Sequence, residues 1–390
     1  MATAKRGANG AGTIKKRSDG RWEGRFTAGY DTKTGKQIQK SVYGKTQKEV
    51  RQKLSKVIAE IDEGSYFEPS KLTVNEWIDI WERDYLGGIS KATAYQYKRK
   101  AELHIRPALG RVKLCELNTA MIQKLYNELG REHDDRPGLA PKSIKDLNGV
   151  LHKLLQQAVM LNYIRYNPAN ACVLPKARKS EINPLTDTQI RLFLEAIRGH
   201  RYERIYKVYL FTGMREGELL GLKWDCVDFE RGCILIDKQL HKSQEAGGEY
   251  YFSPPKHDKV RRITPAPYVM SILLEQKEQQ EKLRAQAGKA WQESGLVFTN
   301  EVGRFVSFRT VYDCFKRIAK QIGIPQLRIH DLRHTYAVNS LRAGDDPKTV
   351  QENLGHVSAA FTLDVYGHYT DDMRRASADR MEAFISKIMR

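Results

Sequence analysis

Leu327 to Tyr336 reads LRIHDLRHTY, with two histidines, two arginines and an aspartate crowded between Arg328 and His334. Two chemistries use such a stretch. A metal site would take His330 and His334, four apart on one helical face, with a glutamate after the first as base. Here Asp331 follows His330 and no third ligand is evident, so no metal is expected. In the other reading His330 and Arg333 stand one turn apart on the same face. Together they offer a ring N–H and a guanidinium fork to one phosphate. On that reading the stretch is half of a phosphate cradle, and the other half must come from elsewhere in the chain.

Composition agrees with a phosphate-rich partner. The chain has 390 residues, enough for two or three domains with cores of their own. Its 66 Lys and Arg outnumber 47 Asp and Glu, a formal charge of +19. So basic a protein meets a polyanion, most commonly nucleic acid. Residues 1–60 hold fifteen Lys and Arg against five Asp and Glu, over half of the excess. The five cysteines (Cys115, Cys172, Cys226, Cys233, Cys314) are scattered and form no C-x-x-C pair. That argues against a structural zinc or a disulfide framework and fits a reducing cytoplasm. The opening MATAKRGANG has no apolar h-region, and no apolar run reaches the roughly 18 residues of a membrane helix. Neither secretion nor membrane spanning is expected.

Three segments follow along the chain. In residues 1–66, GTIKKR, RWEGRFTAGY and KQIQKSVYG read as strands, separated by the turn signals Ser18-Asp19-Gly20 and DTKTGK. Thr46 and Glu49 then form a capping box, and Val50, Leu54, Val57, Ile58 and Ile61 share a helical face. This predicts a small three-stranded sheet backed by one helix, its other face carrying Lys and Arg. A β surface of that width fits the major groove of DNA. EGSYFEPSK (63–71) reads as a linker.

Residues 72–172 give only helical signals. Thr73 and Glu76 repeat the capping box, and SKATAYQYKRKAELHI mixes Tyr95 and Tyr97 with Lys98, Arg99 and Lys100. Ile144, Leu147, Leu151, Leu154, Ala158 and Leu161 form one stripe, so a compact helical bundle with a basic side is expected. LPKARKSEINP (174–184) is a second linker. From Leu185 the pattern is mixed, with β-type runs at CILID, GEYYF and RRITPA between helices.

This last segment carries the remaining chemistry. In FTGMREGELLGLKW (211–224), Gly213 permits a turn and Arg215 stands at the start of a helix running through Glu218 and Leu222. Its guanidinium adds to the free N–H groups of a helix amino end, which suits an anionic oxygen. In SPPKHDKVRRITP (253–265), Lys256 follows two prolines at the edge of a predicted hairpin. In NLGHVSAAFTLDVYGHYT (353–370), His356 follows a Leu-Gly turn and Tyr366 comes ten residues later. With a phenol pKa near 10, only about 0.1% of a tyrosine is ionised at neutral pH. As a nucleophile Tyr366 would need a dense positive field and a proton acceptor, and Arg215, Arg333, His330 and His356 could supply both.

Arg215 in TGMREGEL, Lys256 in PKHDKVRR, then HDLRHT, LGHVS and Tyr366 in LDVYGH resemble the tyrosine recombinases, or phage integrases, in that family's order. The likeness extends to the amino segment, similar to the arm-type DNA-binding domain of phage and conjugative-transposon integrases, and to the bundle, similar to their SAM-like core-binding domain. It implies a multidomain protein: 1–66 a small sheet plus helix for arm-type sites, 67–175 an all-α core-binding bundle, 176–390 a mainly-α catalytic domain with a small β-insertion. It also implies six site residues, Arg215, Lys256, His330, Arg333, His356 and Tyr366. The lysine motif departs from the family, having His257 and Asp258 where a small hydroxyl residue and a second lysine often follow, so Lys259 competes with Lys256.

By this resemblance Tyr366 would form a 3′-phosphotyrosine, with Arg215 and Arg333 neutralising the transition state. His330 would assist the phenol's proton transfer, Lys256 would protonate the 5′-oxygen, and His356 would position the phosphate. Neither metal, cofactor nor ATP is implied. The implied partners are double-stranded DNA at core-type and arm-type sites, the chain itself as a tetramer on two sites joined through a Holliday junction, and an accessory DNA-bending protein or excisionase. The carboxyl helix, with Met373, Met381, Phe384, Ile385 and Ile388 in a stripe, would dock on a neighbour or pack in cis. The setting would be the bacterial cytoplasm, at the nucleoid when bound. The competing readings are a type IB topoisomerase-like enzyme, against which the arm-like segment argues, and a DNA-binding regulator with a dead site, against which six intact residues argue.

Overall fold

The computed structural model describes residues 12–30, 34–63, 70–132, 137–177, 183–244, 248–355 and 370–389, with the backbone alone for residues 257 and 370–377. Two compact units divide at residues 178 and 179. Much of each expected linker, 64–69 and 178–182, lies outside the described residues.

The first unit begins with β1 (Thr13–Lys16), β2 (Trp22–Tyr30) and β3 (Gln37–Gly44), antiparallel in that order. Helix α1 (Gln47–Asp62) buries Val50 and Leu54 against the sheet. Thr46 accepts the Glu49 N–H at 3.2 Å, but the Glu49 carboxylate takes the Lys45 N–H at 2.9 Å. The expected capping box is therefore half formed, its second arm displaced one residue upstream. Cross-strand pairs put Lys15, Glu23 and Tyr43 on one face, with Arg25 and Ser41 beside them. The basic face is thus organised around a carboxylate. Glu23 is only 3% exposed and accepts from Arg25 at 3.0 Å and Ser41 at 2.8 Å, with Lys15 at 3.6 Å and Arg17 at 3.9 Å. Those hydrogen bonds, led by Arg25, hold its pKa down at about 2.

The same unit continues with α2 (Val74–Asp84), α3 (Lys91–Lys100), a π-helical stretch Ala101–Ile105, α4 (Arg106–Leu109), α5 (Thr119–Gly130) and α6 (Pro141–Met160). Here the Thr73–Glu76 box is complete. Trp77, Ile78, Trp81, Ile122, Leu151 and Leu154 pack into one core. The α6 stripe is buried from Ile144 to Ala158, but Leu161 falls past the helix end and is 36% exposed, because the chain turns through Asn162 at φ +57°. On the surface Lys153 lies over the Tyr97 ring, which stacks on Trp81.

The second unit contains α7 (Asp187–Ala196), α8 (Glu203–Thr212), α9 (Glu216–Leu220), β4 (Val227–Asp228), β5 (Cys233–Ile236), β6 (Gln239–Lys242), β7 (Tyr250–Ser253), β8 (Arg261–Ile263), α10 (Pro267–Ala287), α11 (Phe308–Gln321), α12 (Asp331–Arg342), α13 (Pro347–Leu354) and α14 (Thr370–Ile388). The β-insertion is larger than the three expected runs: β4, β5 and β8 form one antiparallel sheet, and β6 pairs with β7. Phe193, Tyr206 and Phe315 meet with ring centroids about 6 Å apart at the centre. A smaller cluster, Ala337, Val338, Leu341, Val350 and Leu354, joins α12 to α13. On α14 the side chains of Met381, Phe384, Ile385 and Ile388 are exposed on the single chain. Among the described residues no helix is long and apolar enough to cross a membrane.

Candidate active site

Helix α8 stops at Gly213, whose φ of +62° is left-handed. A Cβ there would sit 2.4 Å from the Tyr336 ring of α12 and 2.8 Å from Leu354 of α13. Only glycine both ends α8 and lets those helices close on it. The turn presents the Gly213 carbonyl and then Arg215, extended at the amino end of α9. That helix is shorter than expected and ends before Gly221, so Leu222 lies outside it.

Three arginines converge on the carboxyl end of α13. Arg333, 2% exposed, donates to the Gly213 carbonyl at 2.5 Å and to the Leu354 carbonyl at 2.6 Å. Arg215 donates to the Gly355 carbonyl at 2.9 Å and to Glu218 at 2.7 Å. Arg261 donates to the Asn353 carbonyl at 2.9 Å and forks onto Glu218 at 2.9 and 2.6 Å. A helix's last carbonyls have no partners within the helix and carry the negative end of its dipole, so cations collect there. Burial first, then the charge of Arg215, lowers the Arg333 pKa to about 10, and it stays cationic at neutral pH. Burial alone would raise Glu218, but hydrogen bonds and charge from Arg261, with Arg215, pull it to about 2. Arg215 and Arg261 share the Glu218 carboxylate while Arg333 holds the Gly213 and Leu354 carbonyls, so the cluster remains positive and suited to an anion.

LRIHDLRHTY divides rather than presenting one face. Asp331, buried, accepts from Arg328 through its backbone N–H at 2.8 Å and its Nη2 at 2.6 Å, closing the turn before α12. Arg333 points inward, and His330 stands at the helix start on the surface. The His330 and His334 rings meet edge to face, centroids 4.8 Å apart. Burial of His330, then the neighbouring His334 and the Arg333 guanidinium, lowers its pKa. A pKa below the ordinary value makes His330 neutral at pH 7, able to take a proton. Among the described residues no three His, Cys, Asp or Glu side chains gather as a metal would require.

Lys256 is exposed and starts a single 3₁₀ turn, Lys256–Asp258, between β7 and β8, rather than sitting on a hairpin edge. No contact joins it to the arginine cluster among the described residues. His356 and Tyr366 lie outside the described residues, which stop one position before His356, at the carbonyl that Arg215 holds. The site thus brings together Arg215 and Arg333, and adds two residues that sequence reasoning did not assign to it. Glu218 carried a signal, the R-x-x-E spacing inside TGMREGEL. Arg261 carried a weaker one, strand alternation that turns it inward with Ile263 while Arg262 faces out.

Residues 183–373 match the phage integrase family, and residues 73–130 match the N-terminal SAM-like domain of phage integrases. A tyrosine recombinase XerC-like protein of Caldanaerobacter subterraneus subsp. tengcongensis is 30% identical over 360 residues, 88% of this chain and 90% of its own. The ICEBs1 integrase of Bacillus subtilis is 26% identical over 382 residues, covering 95% of this chain and 99% of its own. Among solved structures, the Tn1549 transposon integrase in complex with transposon right end DNA aligns with 80% of this chain and all of its own, with TM-score 0.66 and 24% identity. A lambda integrase tetramer bound to a Holliday junction aligns with 89% of this chain and 96% of its own, at TM-score 0.53 and 20% identity.

Proposed function

The chain belongs to the phage integrase family of tyrosine recombinases, and from that premise we propose how its residues divide the work on DNA. It is a site-specific recombinase, an enzyme that cleaves and rejoins DNA. Tyr366 is the nucleophile: its oxygen bonds to one phosphorus, the bond to the 5′-oxygen breaks, and a 3′-phosphotyrosine remains. The phenolic proton passes to His330, and Lys256 delivers a proton to the departing 5′-oxygen. Arg215 and Arg333 neutralise charge on the non-bridging oxygens, the largest electrostatic contribution in a preorganised site. His356 hydrogen-bonds the phosphate. Religation reverses these transfers, the 5′-hydroxyl of a partner strand attacking the phosphotyrosine.

The observation that supports this reading is the convergence of Arg215 and Arg333 on the carbonyls of Leu354 and Gly355, the two residues that precede His356 in sequence. We assign residues 1–66 to arm-type sites, 67–175 to core-type sites and 176–390 to catalysis. Four protomers act on two sites through a Holliday junction, with the exposed α14 stripe docking on a neighbour and an accessory DNA-bending protein or excisionase assisting. The enzyme works in the cytoplasm, at the nucleoid. A nicked suicide substrate in EDTA without ATP tests the core of this assignment. Wild type should leave an SDS-resistant protein–DNA adduct, and Tyr366→Phe should bind DNA normally yet leave none. An undiminished adduct from Tyr366→Phe would move the nucleophile elsewhere.

A further inference from the structure

Resting on the recombinase reading above, we propose that Arg261 is a positioning residue that fixes Arg215 and the carboxyl end of α13 in one frame. Its guanidinium uses three directions at once: a two-pronged grip on Glu218 and a third bond to the Asn353 carbonyl. Glu218 in turn accepts from both the backbone N–H and the side chain of Arg215, at 2.8 and 2.7 Å. The same guanidinium packs under Gly355, where an added Cβ would lie 3.0 Å from its Nη1. Arg261 therefore braces Arg215 from one side and the last residues before His356 from the other.

The three arginines are not equivalent toward an incoming phosphate. Arg215 and Arg333 hold the Gly355 and Leu354 carbonyls, acceptors that a phosphate oxygen can replace. Arg261 spends its fork on a buried carboxylate and its Nε on the Asn353 carbonyl, one residue deeper in α13. It keeps the frame while its neighbours change partners. Without Arg261, buried Glu218 has Arg215 as its remaining hydrogen-bonding cation, and Arg215 is drawn onto the carboxylate and away from the substrate. Arg261 also lies five residues after Lys256, so β8 ties the Lys256 turn to the same frame. Lysine cannot replace it, since a single ammonium lacks the fork.

Two single-turnover cleavage substrates separate positioning from mere stability: an ordinary scissile phosphodiester, and a methylphosphonate in which a methyl group replaces one non-bridging oxygen. The neutral phosphonate asks less of Arg215. Arg261→Met should bind DNA within about threefold of wild type and cleave the phosphodiester about 10²-fold slower, the usual cost of a misplaced group. On the methylphosphonate its deficit should shrink severalfold. Arg261→Lys, which keeps a charge beside Glu218, should show the same pattern and carries the test if Arg261→Met does not fold. Equal deficits on both substrates would reduce Arg261 to a structural role, and a wild-type rate would overturn the proposal outright. Wild type leaving no adduct on either substrate would instead refute the recombinase reading.

Discussion

Gly213→Ala places a methyl group where α8, α12 and α13 meet. Two costs add there. At φ +62° an L-residue is strained by about 1–2 kcal/mol. Its Cβ would also overlap the Tyr336 ring at 2.4 Å and Leu354 at 2.8 Å. Relieving such overpacking adds about 1–3 kcal/mol. The sum is about 2–5 kcal/mol. Gly199→Ala isolates the first cost, for Gly199 has φ +75° and nothing within 4 Å of an added Cβ. Thermal unfolding of the full chain reads the difference. A unit of this size loses about 2–4 °C per kcal/mol, so Gly213→Ala should melt about 2–12 °C below Gly199→Ala. At a temperature where both are folded, Gly213→Ala should also yield less covalent adduct, because the Gly213 carbonyl and Leu354 both hold Arg333. Equal melting temperatures for the two variants would refute the packing account of this turn.

Lys256→Ala should cleave an ordinary phosphodiester roughly 10²–10⁴-fold more slowly, the usual share of acid catalysis, and recover most of that on a 5′-bridging phosphorothiolate, whose sulfur leaves without a proton. Rescue of Lys259→Ala in its place would mean that the wrong lysine is assigned. Glu23, held near pKa 2 against an ordinary 4.5, favours the folded state above pH 4.5, and that contribution fades as pH falls toward 2. The gap in β2 amide protection between wild type and Glu23→Gln should therefore close across that window. A gap of constant size would show that the convergence of Arg25, Arg17 and Lys15 on Glu23 does not stabilise the sheet.

The elements that the sequence announced are those whose signals are local. Thr73 and Glu76 are three residues apart and find each other in a complete box, and the α6 stripe needs only its own period. Where a neighbour decides, local reading fails. Strand β6 is Gln-Leu-His-Lys with one apolar residue, and it is a strand because β7 lies beside it, Leu240 opposite Phe252. Leu161 continues the apolar period, yet Asn162 turns left-handed and takes the chain off the helix axis. Glu49 has the right spacing for a capping box, but the Lys45 N–H competes for it.

The site was legible as a set of residue types suited to a phosphate and illegible as a frame, for a related reason. Arg333 could be singled out by type and spacing, whereas its acceptors lie 120 and 21 residues away. Arg261 sits in a basic run, and its burial depends on a carboxylate 43 residues upstream and a carbonyl 92 residues downstream. Glu218 is the most instructive. Read by charge, a carboxylate one turn after Arg215 opposes the binding of an anion there. In the folded chain Arg215 and Arg261 both depress the pKa of Arg333, which is mutual repulsion, while Glu218 raises it. An anion among three guanidiniums at one helix end offsets their mutual repulsion. Glu218 supplies that anion permanently, so the cluster can be assembled before a phosphate arrives and still retain charge to bind one.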